Sequence, residues 1–209
     1  EDIGNLAFKN CTELKTVSFE EGLIKIGAEA FYGTGIESLS LPYSVSTLGY
    51  GSFANCTSLN SIDLSALSQS GSKLGDFCFH NAAKLTTINF GSSKIAGIGK
   101  ACFALTTAPT GNLTEFTFPP LLELEENFGD LILAGRTNLL KVTMPSGYGS
   151  LSNEVSVPAG TFAGCINLDS VIFPDNGSGS CGTVKFADTL FKDIVKTGFY
   201  VRGPELNSS

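Results

Sequence analysis

The sequence has no tryptophan, one methionine, one histidine and only 16% charged residues. Each scarcity closes an option. Without tryptophan the chain loses the ring best suited to stack on a sugar or anchor an interface. With His80 as its only histidine, a Ser–His–Asp arrangement has a single base to use, and nothing places a nucleophile beside it. The 13 Lys and Arg residues form no run, and 20 Asp and Glu outnumber them to leave a net charge of −7. Nucleic-acid binding depends on neutralising phosphates, so no nucleic acid is expected as a partner. No apolar run approaches the ~18 residues of a membrane helix, and no charged-then-apolar leader opens the chain. No membrane insertion is therefore expected within these residues. The six cysteines include no C-x-x-C pair, the spacing most often used for structural zinc.

What is present is a repeat. The chain is 42% hydrophobic over 209 residues, a globular balance. Ile3-Gly4-Asn5-Leu6-Ala7-Phe8 recurs as Ile26-Gly27 to Phe31, Leu48-Gly49 to Phe53, Leu74-Gly75 to Phe79 and Ile98-Gly99 to Phe103. It returns from Phe128 to Leu133, Val157 to Phe162 and Phe186 to Phe191, always with the apolar pair five residues apart. Leu14, Val17 and Phe19 follow Phe8 by six, nine and eleven residues, and those offsets recur in most repeats. The V-x-F alternation predicts a short strand with both apolar residues on one face. Repeat eight is the most degenerate, with Phe199 and Val201 expected in the strand places.

The pattern I-G-x-x-A-F-x-x-C-x-x-L-x-x-V-x-F-P resembles the BspA-like leucine-rich repeat of surface proteins. It covers roughly residues 3–201, and L-x-x-L-x-L-x-x-N, the mark of the commoner leucine-rich repeat, is absent. The resemblance implies an extracellular or cell-surface protein with an interaction or adhesion role. It supplies no catalytic residues and no cofactor, so the chain is expected not to be an enzyme. Physics points to the same architecture. One repeat buries about five apolar side chains at ~1.5–3 kcal/mol each, too little to order more than twenty residues at ~1–2 kcal/mol apiece. Only stacking covers each repeat with its neighbours. The expected fold is a β-rich solenoid, a right-handed leucine-rich-repeat-like superhelix of about eight rungs with short helical turns and a parallel sheet. It spans residues 1–203 as one domain, with rungs opening near 3, 26, 48, 74, 98, 128, 157 and 186; residues 204–209 form a tail or the start of a linker.

The residues that could carry chemistry mostly read as parts of the repeat. Two positions after the second apolar residue stand Asn10, Gly33, Asn55, Asn81, Gly135 and Gly164, the residue types that tolerate a left-handed backbone. The sequons at Asn10 and Asn55 follow from that requirement, which leaves Asn112 as the best glycan acceptor. Cys11, Cys56 and Cys165 share the next position, which Thr34, Ala82 and Thr106 fill elsewhere, so it wants a small residue. Cys11 and Cys56, two rungs apart at about 9–10 Å, cannot bridge. Cys78 and Cys102 on adjacent rungs could, although free buried thiols are expected. Cys181, in a Gly/Ser-rich stretch, is the expected exposed thiol, and His80 falls at a variable, solvent-facing position. Glu123, Glu125, Glu126 and Asp130 read as a solvated loop rather than a calcium or paired-carboxylate site.

Binding is expected on the outward strand positions. In the first four rungs these are Ser, Thr, Asp and Asn; in the last four they include Glu115, Lys141, Ile172 and Tyr200. Insertions near 105–112, 120–127, 146–154 and 175–183 lengthen the late repeats and must project from the rungs, and the third carries Tyr148. Glu115, Lys141, Tyr148, Ile172 and Tyr200 are thus the candidate ligand-binding residues. The expected partner is an extracellular protein or glycan, beside further domains of the same longer chain. A passive stalk that spaces another domain from a cell surface is the second reading.

Overall fold

Each repeat contains two short apolar segments, and in the folded chain most of them become strands that pair in parallel with their counterparts one repeat away. A computed structural model describes residues 1–67, 71–93, 95–106, 111–119, 128–145, 155–174, 184–186 and 200–202. The first ladder joins β1 (Asp2–Ile3), β2 (Lys25–Ile26), β4 (Thr47–Leu48), β6 (Ser72–Leu74) and β8 (Ile95–Ile98), and a parallel bridge extends it from Ile98 to Phe128. At the same repeat position, β11 (Val155–Val157) pairs with β13 (Val184–Phe186). The second ladder comes from the V-x-F segments. It has one part in β3 (Ser38–Ser40), β5 (Ser61–Asp63) and β7 (Thr87–Asn89), and another in β9 (Glu115–Thr117), β10 (Lys141–Thr143), β12 (Ser170–Ile172) and β14 (Tyr200–Arg202).

The solenoid differs from expectation in three respects. It has two parallel ladders where one sheet was foreseen. Seven turns carry both strand positions among the described residues, opening at β2, β4, β6, β8, Phe128, β11 and β13; the first turn carries only β1, against the eight rungs foreseen. The foreseen short helical turns are absent among the described residues, and the A-F-x-x-C segments are runs of tight turns. The backbone explains why. The described turns have two left-handed residues each, except rung five, which has only Ala101, and a left-handed residue stops helical propagation. One series is the expected Asn and Gly positions, with φ of 61°, 56° and 60° at Asn10, Asn55 and Asn81. The other was not foreseen, because Leu6, Glu29, Phe77, Ala101 and Leu131 occupy it at φ of 51–61°.

The core lies between the ladders. Phe8, Phe31, Phe53, Phe79 and Phe103 form one column, with successive ring centroids 4.9, 5.1, 5.6 and 5.4 Å apart and planes within 12° of parallel. That spacing is close to the ~4.8 Å between paired strands, so the rings stack because the rungs do. Phe79 and Phe103 have no exposed surface, as the repeat alignment requires. The glycine of the I-G pair serves the same spacing. A Cβ on Gly99 would lie 2.4 Å from the Asp76 nitrogen, and one on Gly129 would lie 2.1 Å from the Lys100 nitrogen. No side chain fits there.

The cysteines of this core are free thiols: Cys56, Cys78, Cys102 and Cys165 are buried, and Cys11 is exposed. Burial pushes the Cys56 and Cys102 thiols up, and the adjacent Cys78 thiol adds to the effect at Cys102. Cys165 is pushed up to about 12, again by burial. Protonated thiols of this kind are inert. Cys181 lies outside the described residues.

Phe79→Ala opens a cavity in the middle of the ring column, and a loss of about 3–5 kcal/mol in stability is expected from denaturant titration. Phe8→Ala, whose ring ends the column and is 41% exposed, should cost clearly less.

Candidate interaction face

The second ladder presents two outward rows. Register places Glu115 beside Lys141, Lys141 beside Ser170 and Ser170 beside Tyr200. By register the neighbouring row of strand positions runs Thr117, Thr143, Ile172 and Arg202. Three of the five foreseen residues, Glu115, Lys141 and Tyr200, therefore share one row; Ile172 belongs to its neighbour, and Tyr148 lies outside the described residues. Four strands at ~4.8 Å make this face about 14 Å wide.

The last strand corrects the sequence reading. Val201, not Phe199, pairs with Val171, which moves Tyr200 from the expected place beside Ile172 to one beside Ser170. It also brings Arg202 into the second row, a residue that sequence reasoning missed. A shift of two residues keeps the same side chains facing outward, so alternation alone could not distinguish the two registers. Comparing the length from Leu168 with that of the earlier repeats was the only available signal, and the insertions obscure it.

The two parts of this ladder differ in how their polar groups are engaged. In the early part, Ser65 donates its N–H and hydroxyl to Asp63 Oδ1 at 2.9 and 2.6 Å, and Asn89 Nδ2 donates to the same oxygen at 3.3 Å. The Ser65 hydroxyl and N–H hold the Asp63 carboxyl below its usual range. In the late part Lys141 Nζ lies 3.5 Å from Glu115 Oε2, and the two side chains are 42% and 67% exposed. An exposed pair of this kind contributes about 0–1 kcal/mol, so either member is free to exchange its partner for a ligand group.

The rungs beneath this boundary hold a second residue that was missed. Arg136 occupies the position expected to want a small side chain, yet it is fully buried. Its Nε donates to Phe103 O at 2.7 Å and its Nη1 to Ala82 O at 3.1 Å, so one side chain ties rung six to rungs five and four. Rung five makes the room, because its equivalent residue Thr106 is exposed where the insertion begins. Gly111 gives further space, since a Cβ there would come within 3.4 Å of the guanidinium. Here too the second ladder breaks: β7 and β9 do not pair, and Asn112 N–H donates instead to Ala83 O at 3.0 Å. Burial pushes the guanidinium down to about 10, although the Cys165 and Cys102 thiols favour its charge. Among the described residues Nη2 has no partner and no carboxylate pairs with this arginine.

His80 is less open to solvent than expected. Its Nε2 lies 3.1 Å from the Thr106 hydroxyl, and its ring meets Phe77 edge-on at 5.3 Å. Burial lowers its pKa from the usual 6.5, Arg136 pushes the same way, and the Ala101 backbone opposes them. Among the described residues no three His, Cys, Asp or Glu side chains group as metal ligands. Asp130 is exposed, and Glu123, Glu125 and Glu126 lie outside the described residues.

With this geometry in place the chain can be compared with known proteins. The model of the BspA-type leucine-rich repeat region matches residues 1–108 and 66–155, in six copies. The chain belongs to this family. Among solved structures, this BspA-type chain is similar to a leucine-rich repeat protein of T. pallidum, with TM-score 0.58 and 24% identity over 83% of this chain and 77% of that one. It is also similar to a leucine-rich cell surface protein of Faecalibacterium prausnitzii, with TM-score 0.55 and 20% identity over 88% of this chain and 54% of that one. At these identities the likeness concerns the fold. No curated protein matches the BspA-type chain at a significant level.

Two outcomes follow from the buried groups. Arg136→Ala takes the donor from Phe103 O, leaves Ala82 O with only the Leu85 N–H and opens a cavity, and should cost about 2–4 kcal/mol in denaturant titration, with Arg136→Met costing less because it keeps the volume. The depressed pKa of His80 means that the unfolded chain takes up a proton first as pH falls below 6.5. Its contribution to stability is complete above that pH and is lost as pH falls toward the folded pKa. Melting curves from pH 7.5 to 5 should therefore fall less steeply for His80→Gln than for the parent chain.

Proposed function

We propose that this BspA-type chain is a non-catalytic extracellular interaction module, and that the outward face of β9, β10, β12 and β14 binds its partner. The observation that carries the reading is the register that sets Glu115, Lys141 and Tyr200 in one row, with Ile172 and Arg202 in the next. A solenoid binds through extended surfaces, and this one combines charge, an apolar side chain and an aromatic at strand positions held by rigid rungs. The partner is an extracellular protein or glycan engaged at the cell surface, in keeping with an adhesion role; the name of the F. prausnitzii neighbour, a leucine-rich cell surface protein, supports that location. The insertion carrying Tyr148 would add a projecting contact at the same end.

A passive stalk is the second reading, favoured by the early part of the ladder. There the outward residues are Ser, Thr, Asp and Asn, and Asp63 Oδ1 already accepts from Ser65 and Asn89.

The test is a binding screen of the chain against extracellular matrix proteins and glycans, followed by substitution. Glu115→Ala with Lys141→Ala should weaken the ligand found by about tenfold or more, equivalent to ~1.4 kcal/mol, while the melting temperature stays within about 2 °C. Ser38→Ala with Ser61→Ala on the early face should leave affinity unchanged. Equal binding by the Glu115/Lys141 variant would move the site elsewhere, and loss only on the early face would reverse the assignment.

A further inference from the structure

Phe77 stands outside the core column, at a backbone position that glycine fills in other rungs. Its φ is 57°, and the same repeat position is Gly51 in rung three and Gly160 in rung seven, at 54° and 63°. Glycine takes this left-handed backbone without steric cost, whereas a residue with a Cβ opposes it. The turn is therefore complete without a ring, and the reason for Phe77 lies outside the core.

On the turn face between the two ladders Phe77 belongs to a group of three rings. Tyr50 of rung three is 53% exposed, and its ring centroid lies 5.5 Å from that of Phe77 with the planes 52° apart. His80 meets the Phe77 ring edge-on at 5.3 Å and is itself held by the Thr106 hydroxyl. Phe77 and His80 are half-buried. In the adjoining rungs their positions are taken by Gly51 and Ala54 on one side and by Ala101 and Ala104 on the other, so no large side chain stands beside them there. Charge around the rings is balanced. Asp76 and Lys100, both exposed, hold the repeat position of Tyr50 on the next two rungs, and Asp76 Oδ1 accepts from the Lys100 N–H at 2.8 Å. Glu29 is paired with Lys9.

The geometry points to a second binding site on this turn face, where Tyr50 and Phe77 stack against the apolar side of a neutral pyranose sugar. A sugar ring carries C–H groups on one side and hydroxyls around its rim. The two aromatic rings meet the first, and the Tyr50 hydroxyl, Asp76 and Lys100 offer donors and acceptors to the second. Other occupants match less of the site. A protein partner needs about 800 Å² on each side, and the glycine and alanines around the rings add no anchors. An ion meets no excess of either charge, because Asp76 is offset by Lys100 and Glu29 by Lys9. The site lies on the turns of rungs three and four, apart from the outward face of β9, β10, β12 and β14.

The test is saturation-transfer NMR on the whole chain with methyl β-glucopyranoside and methyl β-galactopyranoside, irradiating the aromatic protons of the protein. Saturation should reach the ring C–H protons of at least one glycoside, with the millimolar affinity of a small, open site. Tyr50→Ala and Phe77→Gly should each weaken that binding about fivefold or more, and Phe77→Tyr should bind as the parent does. Phe77→Gly should keep the melting temperature within about 2 °C of the parent, because glycine suits this backbone. The Glu115→Ala, Lys141→Ala variant should bind the glycoside normally, so failure of the late face and failure of this site are read separately. No transfer to either glycoside, or equal binding by Phe77→Gly, overturns the inference. A Phe77→Gly chain that melts well below that margin overturns it too, by assigning the ring to the fold. Transfer to tetramethylammonium in place of both glycosides would make a cation the occupant, with the same result.

Discussion

The distance between rungs is the constraint on which the remainder of this structure depends. Parallel backbones pair at ~4.8 Å, and two ladders hold each rung to that separation on both sides of the core. Ring centroids of the phenylalanine column lie 4.9–5.6 Å apart, within the range that offset-stacked aromatic pairs favour. Backbone turns come closer still, which is why a Cβ at Gly99 or Gly129 has no room. One obstruction would separate the rings and both ladders together. Stability in such an array resides in the contacts between rungs, because no rung is stable alone.

Extra residues are accommodated only where something fills the space they leave. Rung five carries the insertion that begins at Thr106 and interrupts the second ladder between β7 and β9. Arg136 then reaches into the core from rung six and satisfies carbonyls at Phe103 and Ala82. Among the described residues no carboxylate pairs with this buried guanidinium, and burial pushes its pKa down. Phe116 closes the apolar side of the same gap, 5.9 Å from Phe90 and 5.4 Å from Phe103. The outward face changes character at this break, from polar groups bonded to one another to an open Glu115–Lys141 pair. The scaffold is most irregular where its surface becomes chemically varied.

Local chemistry made much of this legible in the chain. The I-G-x-x-A-F period and the V-x-F alternation disclosed the repeat, its core phenylalanines and the free thiols, since a repeated core position must be filled by residues of one size and polarity. Asn10, Asn55 and Asn81 announced their left-handed turns, because few other residues adopt that backbone cheaply. Leu6, Phe77 and Leu131 did not, as they adopt it against their own preference under the pull of stacking. Of the candidate face, Glu115 and Lys141 were recognisable as outward-facing from alternation, and Tyr200 was placed in the wrong register.

By itself, then, the sequence determined the period, which residues face inward, and the solenoid that buries them; these depend on side-chain size and polarity repeated at constant spacing. Only the tertiary structure decided that there are two ladders, that Val201 pairs with Val171, and that Arg136 is buried against carbonyls of the two preceding rungs. Each of those depends on what a neighbouring rung offers across space: an unpaired edge, a vacated pocket or an unsatisfied carbonyl. Such offers arise between residues some 25–55 positions apart, as between Arg136 and Ala82, where no local pattern in the chain records them.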